Sequence, residues 1–124
     1  LEPKIRFLVR TQLISHFGIK RAHDCVMDEL DKKRETKLKT LAFSDLFDPN
    51  KSNIYFRNLR NLIVNNWSFF QNVFTMEKQD LISKMDMINK YRTDAHAKDL
   101  TENELAVVRI CFDEIEKMIK PFVE

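Results

Sequence analysis

A chain of 124 residues with one glycine and three prolines has few places to turn. Sheet proteins reverse direction often, and tight reversals draw on glycine, proline or Asn-Gly pairs. Gly18, Pro3, Pro49 and Pro121 are too few and too scattered to supply them. The scarcity predicts an all-α fold, an antiparallel bundle of four to five long helices with short connections. The length suits one helical domain, residues 1–124, with room for a hydrophobic core. The chain begins at Leu1 rather than Met, which suggests a domain cut from a longer protein.

Apolar spacing places the helices. Ile5, Leu8, Val9 and Leu13 recur with helical period, predicting a helix over about 2–16 that Gly18 stops in a C-cap-like position. A second helix is expected over about 20–40, its stripe running Ala22, Cys25 or Val26, Leu30, Leu38 and Leu41. The charged run at 31–39 reads as its solvated face. Leu41–Phe47 is a short apolar segment of about one helical turn, and Asp48-Pro49-Asn50 is the clearest loop. Phe56, Leu59, Leu62 and Ile63 predict a helix over 52–66, kinked or ended by Asn65-Asn66. Trp67, Phe69, Phe70 and Phe74 sit among aliphatics at helical spacing and read as core or subunit interface.

Thr75 is a candidate cap for the next helix, with Glu77 in its first turn and Leu81, Ile82, Met85 and Ile88 along one side. Thr101-Glu102-Asn103-Glu104 has the form of a capping box, with Leu100 and Leu105 placed for a hydrophobic staple. Leu105, Val108, Phe112, Ile115 and Ile119 then form the expected buried stripe, and Pro121 the end of the helix.

Several classes of function are excluded by what the chain lacks. A net charge of +2 is too small for a general nucleic-acid binder, though it leaves room for a local basic site. No apolar run is long enough for a membrane span, and no signal peptide is visible. Cys25 and Cys111 occupy apolar helical positions, so free buried thiols in an intracellular, cytoplasmic setting are expected. Gly18 stands alone, which removes glycine-rich phosphate cradles. CxxC, HExxH and calcium-loop spacings are missing, so neither a metal nor a cofactor is expected. Serine and cysteine nucleophile motifs are missing too.

One stretch carries chemistry: Asn89-Lys90-Tyr91-Arg92-Thr93-Asp94-Ala95-His96. Arg92 and His96 stand four apart, one turn along the same helical face. A guanidinium holds phosphate and an imidazole moves a proton near neutral pH, which suits RNA cleavage. The same residues, with Lys98 and Asp99, would also serve as an exposed polar turn between the last two long helices. His16 and His23 lack clustered partners and read as surface or half-buried structural residues. Arg10 and His16, six apart, would point about 240° around a helix from each other, so that pairing reads as coincidence.

Asn89, Arg92, Ala95 and His96, late in a helical chain and just before its last helix, resemble the motif of the HEPN superfamily. The resemblance covers most of the chain in helix order. It implies an all-helical domain, in many members a metal-independent endoribonuclease that acts as a homodimer. The Arg–His motifs of two subunits meet at the interface, in toxin–antitoxin, phage-defence and RNA-processing systems. On that resemblance His96 takes the proton from a ribose 2′-OH, and Arg92 neutralises charge on the attacked phosphate. The products are a 2′,3′-cyclic phosphate and a 5′-OH. Asn89 and Asp94 orient these groups or bind phosphate and sugar, and Tyr91 stacks on a base or packs. Three residues separate Arg92 from His96 where the family form has four to six, and Thr93 stands where Asn or Asp usually follows the arginine. A second reading therefore stays open: a non-catalytic dimerisation or interaction module of a larger protein, taking RNA or a protein partner. A generic helical adaptor is the third.

Overall fold

The computed structural model describes residues 2–30, 45, 47–48, 54–93 and 101–123, with 91–93 described as backbone only. Among them the chain forms helices and no strand: α1 (Glu2–Glu29), α2 (Phe56–Asn65), α3 (Trp67–Phe70), α4 (Lys78–Thr93) and α5 (Glu102–Val123). The all-α bundle expected from the paucity of turn residues is the architecture found.

α1 is helical on both sides of Gly18, which itself adopts φ 78°, ψ 164°. That conformation is cheap only for glycine, and it breaks the helical path. Contacts show how sharply. Arg6 Nη2 donates to the carbonyl of Ile54, while Glu29 Oε2 accepts from Asn58 Nδ2 at 3.1 Å. Between those ends, the His16 and Phe17 rings lie on Phe69. A straight helix of this length would be about 42 Å long and could not bring both ends to the start of α2. The limb before Gly18 and the limb after it therefore fold back toward one end of α2, with Gly18 at the tip and α3 beneath it.

The core is built from the stripes that the spacing marks. Ile5, Leu8, Val9, Leu13, Ala22, Val26 and Leu30 are buried from α1 and its end. Phe56, Leu59, Leu62 and Ile63 are buried from α2, and Leu81, Met85 and Ile88 from α4. Phe70 and Phe74 are fully buried, while Trp67 and Phe69 pack against the core half-buried. Within the second limb of α1, Val26 rather than Cys25 takes the core position. Phe47 is buried and Asp45 half-buried, but 41–44 and 46 of the short apolar segment, the loop at 49–50 and the helix expected over 31–40 lie outside the described residues.

Four local expectations are corrected. α2 starts at Phe56, not 52. Its entry is set by a buried side chain, since the Tyr55 N–H donates to Asn58 Oδ1 at 2.8 Å. Thr75 does not cap α4. The Glu77 carbonyl accepts the first helical bonds, from the N–H groups of Asp80 and Leu81, and the Thr75 hydroxyl instead meets the Met118 sulfur at 3.7 Å. Leu105 is 38% exposed, because the buried face of α5 is carried by Cys111, Ile115 and Ile119. Pro121 does not end α5, which runs on to Val123. A proline in the last turn forfeits one backbone hydrogen bond but leaves little helix beyond it to be misdirected.

Candidate functional site

The stretch Asn89–His96 begins on the last two turns of α4. That helix holds its course through polar clamps on both sides. Arg60 of α2 grips Asp86, with Nη2 3.1 Å from Oδ2 and Nε 3.1 Å from Oδ1. Lys84 Nζ lies 2.8 Å from Glu114 Oε2 on α5, and this hydrogen bond holds the ammonium above its ordinary pKa. One turn on, the Cys111 thiol meets the Met87 sulfur at 3.9 Å. The pairs 84 with 114 and 87 with 111 set α4 and α5 antiparallel. Continued, that register brings the turn holding Arg92 level with Ala106 and Val107.

Asn89 and Arg92 share one face of this helix, three residues apart, and Asn89 is half-buried. Tyr91 and Arg92 are placed as helical backbone up to Thr93. Asp94 and His96 lie outside the described residues, as does Leu100 of the expected staple. The segment after them is anchored by the predicted capping box. Thr101 Oγ1 accepts from the Glu104 N–H at 3.2 Å, and Glu104 Oε1 accepts from the Thr101 N–H at 3.4 Å and its hydroxyl at 3.0 Å. The first turns of α5, level with Arg92, carry exposed apolar side chains: Leu105, Val107 at 43% and Ile110 at 55%.

A second polar concavity was not anticipated. A groove of about 330 Å³ runs between the second limb of α1 and the α2–α3 junction. Phe17 and Leu62 line its apolar side, and Arg21, Asp24, Asp28, Glu29, Asn65 and Asn66 its polar side. Much of its polarity is spent internally. Glu29 Oε2 accepts from Asn58 and from Asn61 at 3.2 Å, and Asn66 Nδ2 donates to the Leu62 carbonyl at 2.8 Å and to Cys25 Sγ at 3.4 Å. Burial pushes the Cys25 thiol above its ordinary pKa, against the smaller opposing effect of the Asn66 hydrogen bond. A thiol held protonated is a poor nucleophile. The readable signal for the groove was the pair Asn65-Asn66, which the sequence marks as a kink or end of α2.

Neither thiol is in a disulfide. Among the described residues no three His, Cys, Asp or Glu side chains converge as a metal site, and no helix is long and apolar enough to cross a membrane. His16 is exposed and stacked on Phe69, and His23 is half-buried, so both take structural positions as expected. Compared with protein-family models, curated proteins and solved structures, the chain matches none.

Proposed function

We propose that this chain is a HEPN-like RNA-associated domain. On this reading it is a metal-independent endoribonuclease of a toxin, phage-defence or RNA-processing system, working in the cytoplasm as a homodimer. The observation that supports the reading is the placement of Asn89 and Arg92. They share one face of an unbroken α4, ahead of a short connection to a well-capped final helix. In this proposal Arg92 offsets the charge that develops on a phosphate, and His96 takes the 2′-OH proton. Asn89 and Asp94 hold phosphate and sugar, and Tyr91 stacks on a base. A two-fold dimer supplies a second Arg–His pair, so that one imidazole acts as base and the other as acid. Purified protein is expected to cut single-stranded RNA without added metal, leaving a 2′,3′-cyclic phosphate. Arg92→Ala and His96→Ala should each lower the rate at least a hundredfold with an unchanged melting temperature. Variants that cut as fast as the parent would overturn the assignment.

A second reading, a non-catalytic interaction module of a larger protein, is favoured by the apolar side chains that α5 leaves exposed at the level of Arg92. Charge placed there should disrupt any association that uses this face. Ile110→Asp is therefore expected to convert a dimer to monomer in sedimentation experiments. A parent protein that dimerises yet cuts no RNA, with or without metal, would favour this module over the nuclease.

A further inference from the structure

We infer that α1 carries a single-stranded RNA binding face of its own, separate from the Asn89–His96 stretch, along its first limb and around the Gly18 tip. The inference rests on the RNA-associated reading above but uses none of its residues. Residues 3–23 contain five basic side chains, Lys4, Arg6, Arg10, Lys20 and Arg21, and no acid. In a chain whose net charge is only +2, this is a local concentration of positive charge. Two of the five are committed to structure: Lys4 pairs with Glu116, and Arg6 with Glu2 and with the carbonyls of Phe47 and Ile54. Arg10, Lys20 and Arg21 make no ion pair among the described residues.

The remaining cations are interleaved with aromatic rings. Phe7, Arg10, Ile14 and Phe17 fall at a spacing of three and four, on one face of the first limb. The Arg10 guanidinium lies 5.7 Å from the Phe7 ring centre, and the Arg21 guanidinium 5.5 Å from that of Phe17. At the end of that row the Phe17 ring stands edge-on to Phe69, centroids 4.9 Å apart. Phe7 is 43% exposed.

Aromatic surfaces held beside unpaired cations suit an unpaired nucleic-acid strand, since every base has a face to stack and every linkage a charge to neutralise. Guanidinium groups already lying over rings lose little freedom when a phosphate arrives. Carboxylates bound the face at both ends, Glu2 and Asp48 near Phe7 and Asp24 beyond Arg21, which confines a strand to the stretch between them. Duplex RNA keeps its bases stacked internally and offers this surface its phosphates and 2′-hydroxyls but no base face to stack on.

The test is binding of a fluorescein-labelled 2′-O-methyl oligouridylate 12-mer, which lacks the 2′-OH needed for cleavage, followed by anisotropy over a salt series. Full-length R10Q/K20Q/R21Q should bind at least tenfold more weakly, with the slope of log affinity against log salt reduced by about 2. F7A should weaken binding roughly fivefold or more at fixed salt while keeping the parent slope. Circular dichroism melts establish that each variant is folded, and the single substitution is at an exposed side chain. Parent protein that does not bind the oligomer overturns the inference, as does a triple variant with unchanged affinity and slope. A protein that cuts RNA while its binding ignores the triple substitution removes this face and leaves the proposed function standing. One that binds through α1 and never cuts does the reverse.

Discussion

Asn58 shows how much a single side chain decides here. It is 9% exposed, the one buried polar residue among those described. Its carbonyl oxygen caps the entry to α2 through the Tyr55 N–H, and its amide nitrogen reaches Glu29 at the end of α1. The start of one helix is thereby tied to the end of another. Asn58→Ala would remove both part-buried contacts, and losing such hydrogen bonds, one of them to a carboxylate, costs about 1–3 kcal/mol. Urea denaturation is expected to show a loss in that range. An unchanged midpoint would mean that water replaces both contacts. Arg6 has a similar role at the approach to α2, with a side chain only 11% exposed. Nothing in residue type announces either role, because both depend on what stands opposite after folding.

Among the helices, α1 and α5 teach opposite lessons about local signals. In α1 the lone glycine was legible as a break, and the break is sharper than a stop signal requires, since the chain folds back there. A Cβ added at Gly18 meets nothing within 4 Å, so substitution carries only the backbone cost of a positive φ. Gly18→Ala is expected to destabilise by roughly 1–2 kcal/mol, seen as a lower melting temperature with unchanged far-ultraviolet circular dichroism. No loss would mean that the two limbs relax into a different bend. In α5 the capping box was readable to the residue, because it is a bond between neighbours in sequence. The buried stripe was readable only in its second half. Ile115 and Ile119 are fully covered, whereas Leu105 is not, since helical period says which side chains share a face and not how far along a helix its neighbours extend.

For the molecule as a whole, ion pairs across helices add a pH dependence with a defined sign. Lys4 of α1 and Glu116 of α5 lie 2.7 Å apart, and the lysine holds the Glu116 carboxyl below its ordinary range. A carboxyl lowered in the folded state contributes stability above its unfolded-state pKa and loses it as the pH falls through the folded one. Glu116→Gln should therefore reduce stability near neutrality and narrow the difference from the parent as the solution is acidified. Both groups are substantially exposed, so the effect should also shrink in high salt. Melts of the two proteins across pH 2–7 test this. A constant difference would assign the effect of Glu116 to packing instead of charge.

The sequence by itself determined the fold class and most of the core. Helix formation and burial follow from short-range period, and the lack of turn residues left no competing sheet. It determined the capping box and the helical placement of Asn89 and Arg92 for the same reason. Only the tertiary structure decided that the two limbs of α1 return to one end of α2, that Asn65 and Asn66 line a groove with the second limb, and that the His16 and Phe17 rings lie on Phe69. These depend on residues distant in the chain meeting at distances of a few ångströms. Such meetings are set by the packing of whole helices, which no local pattern encodes.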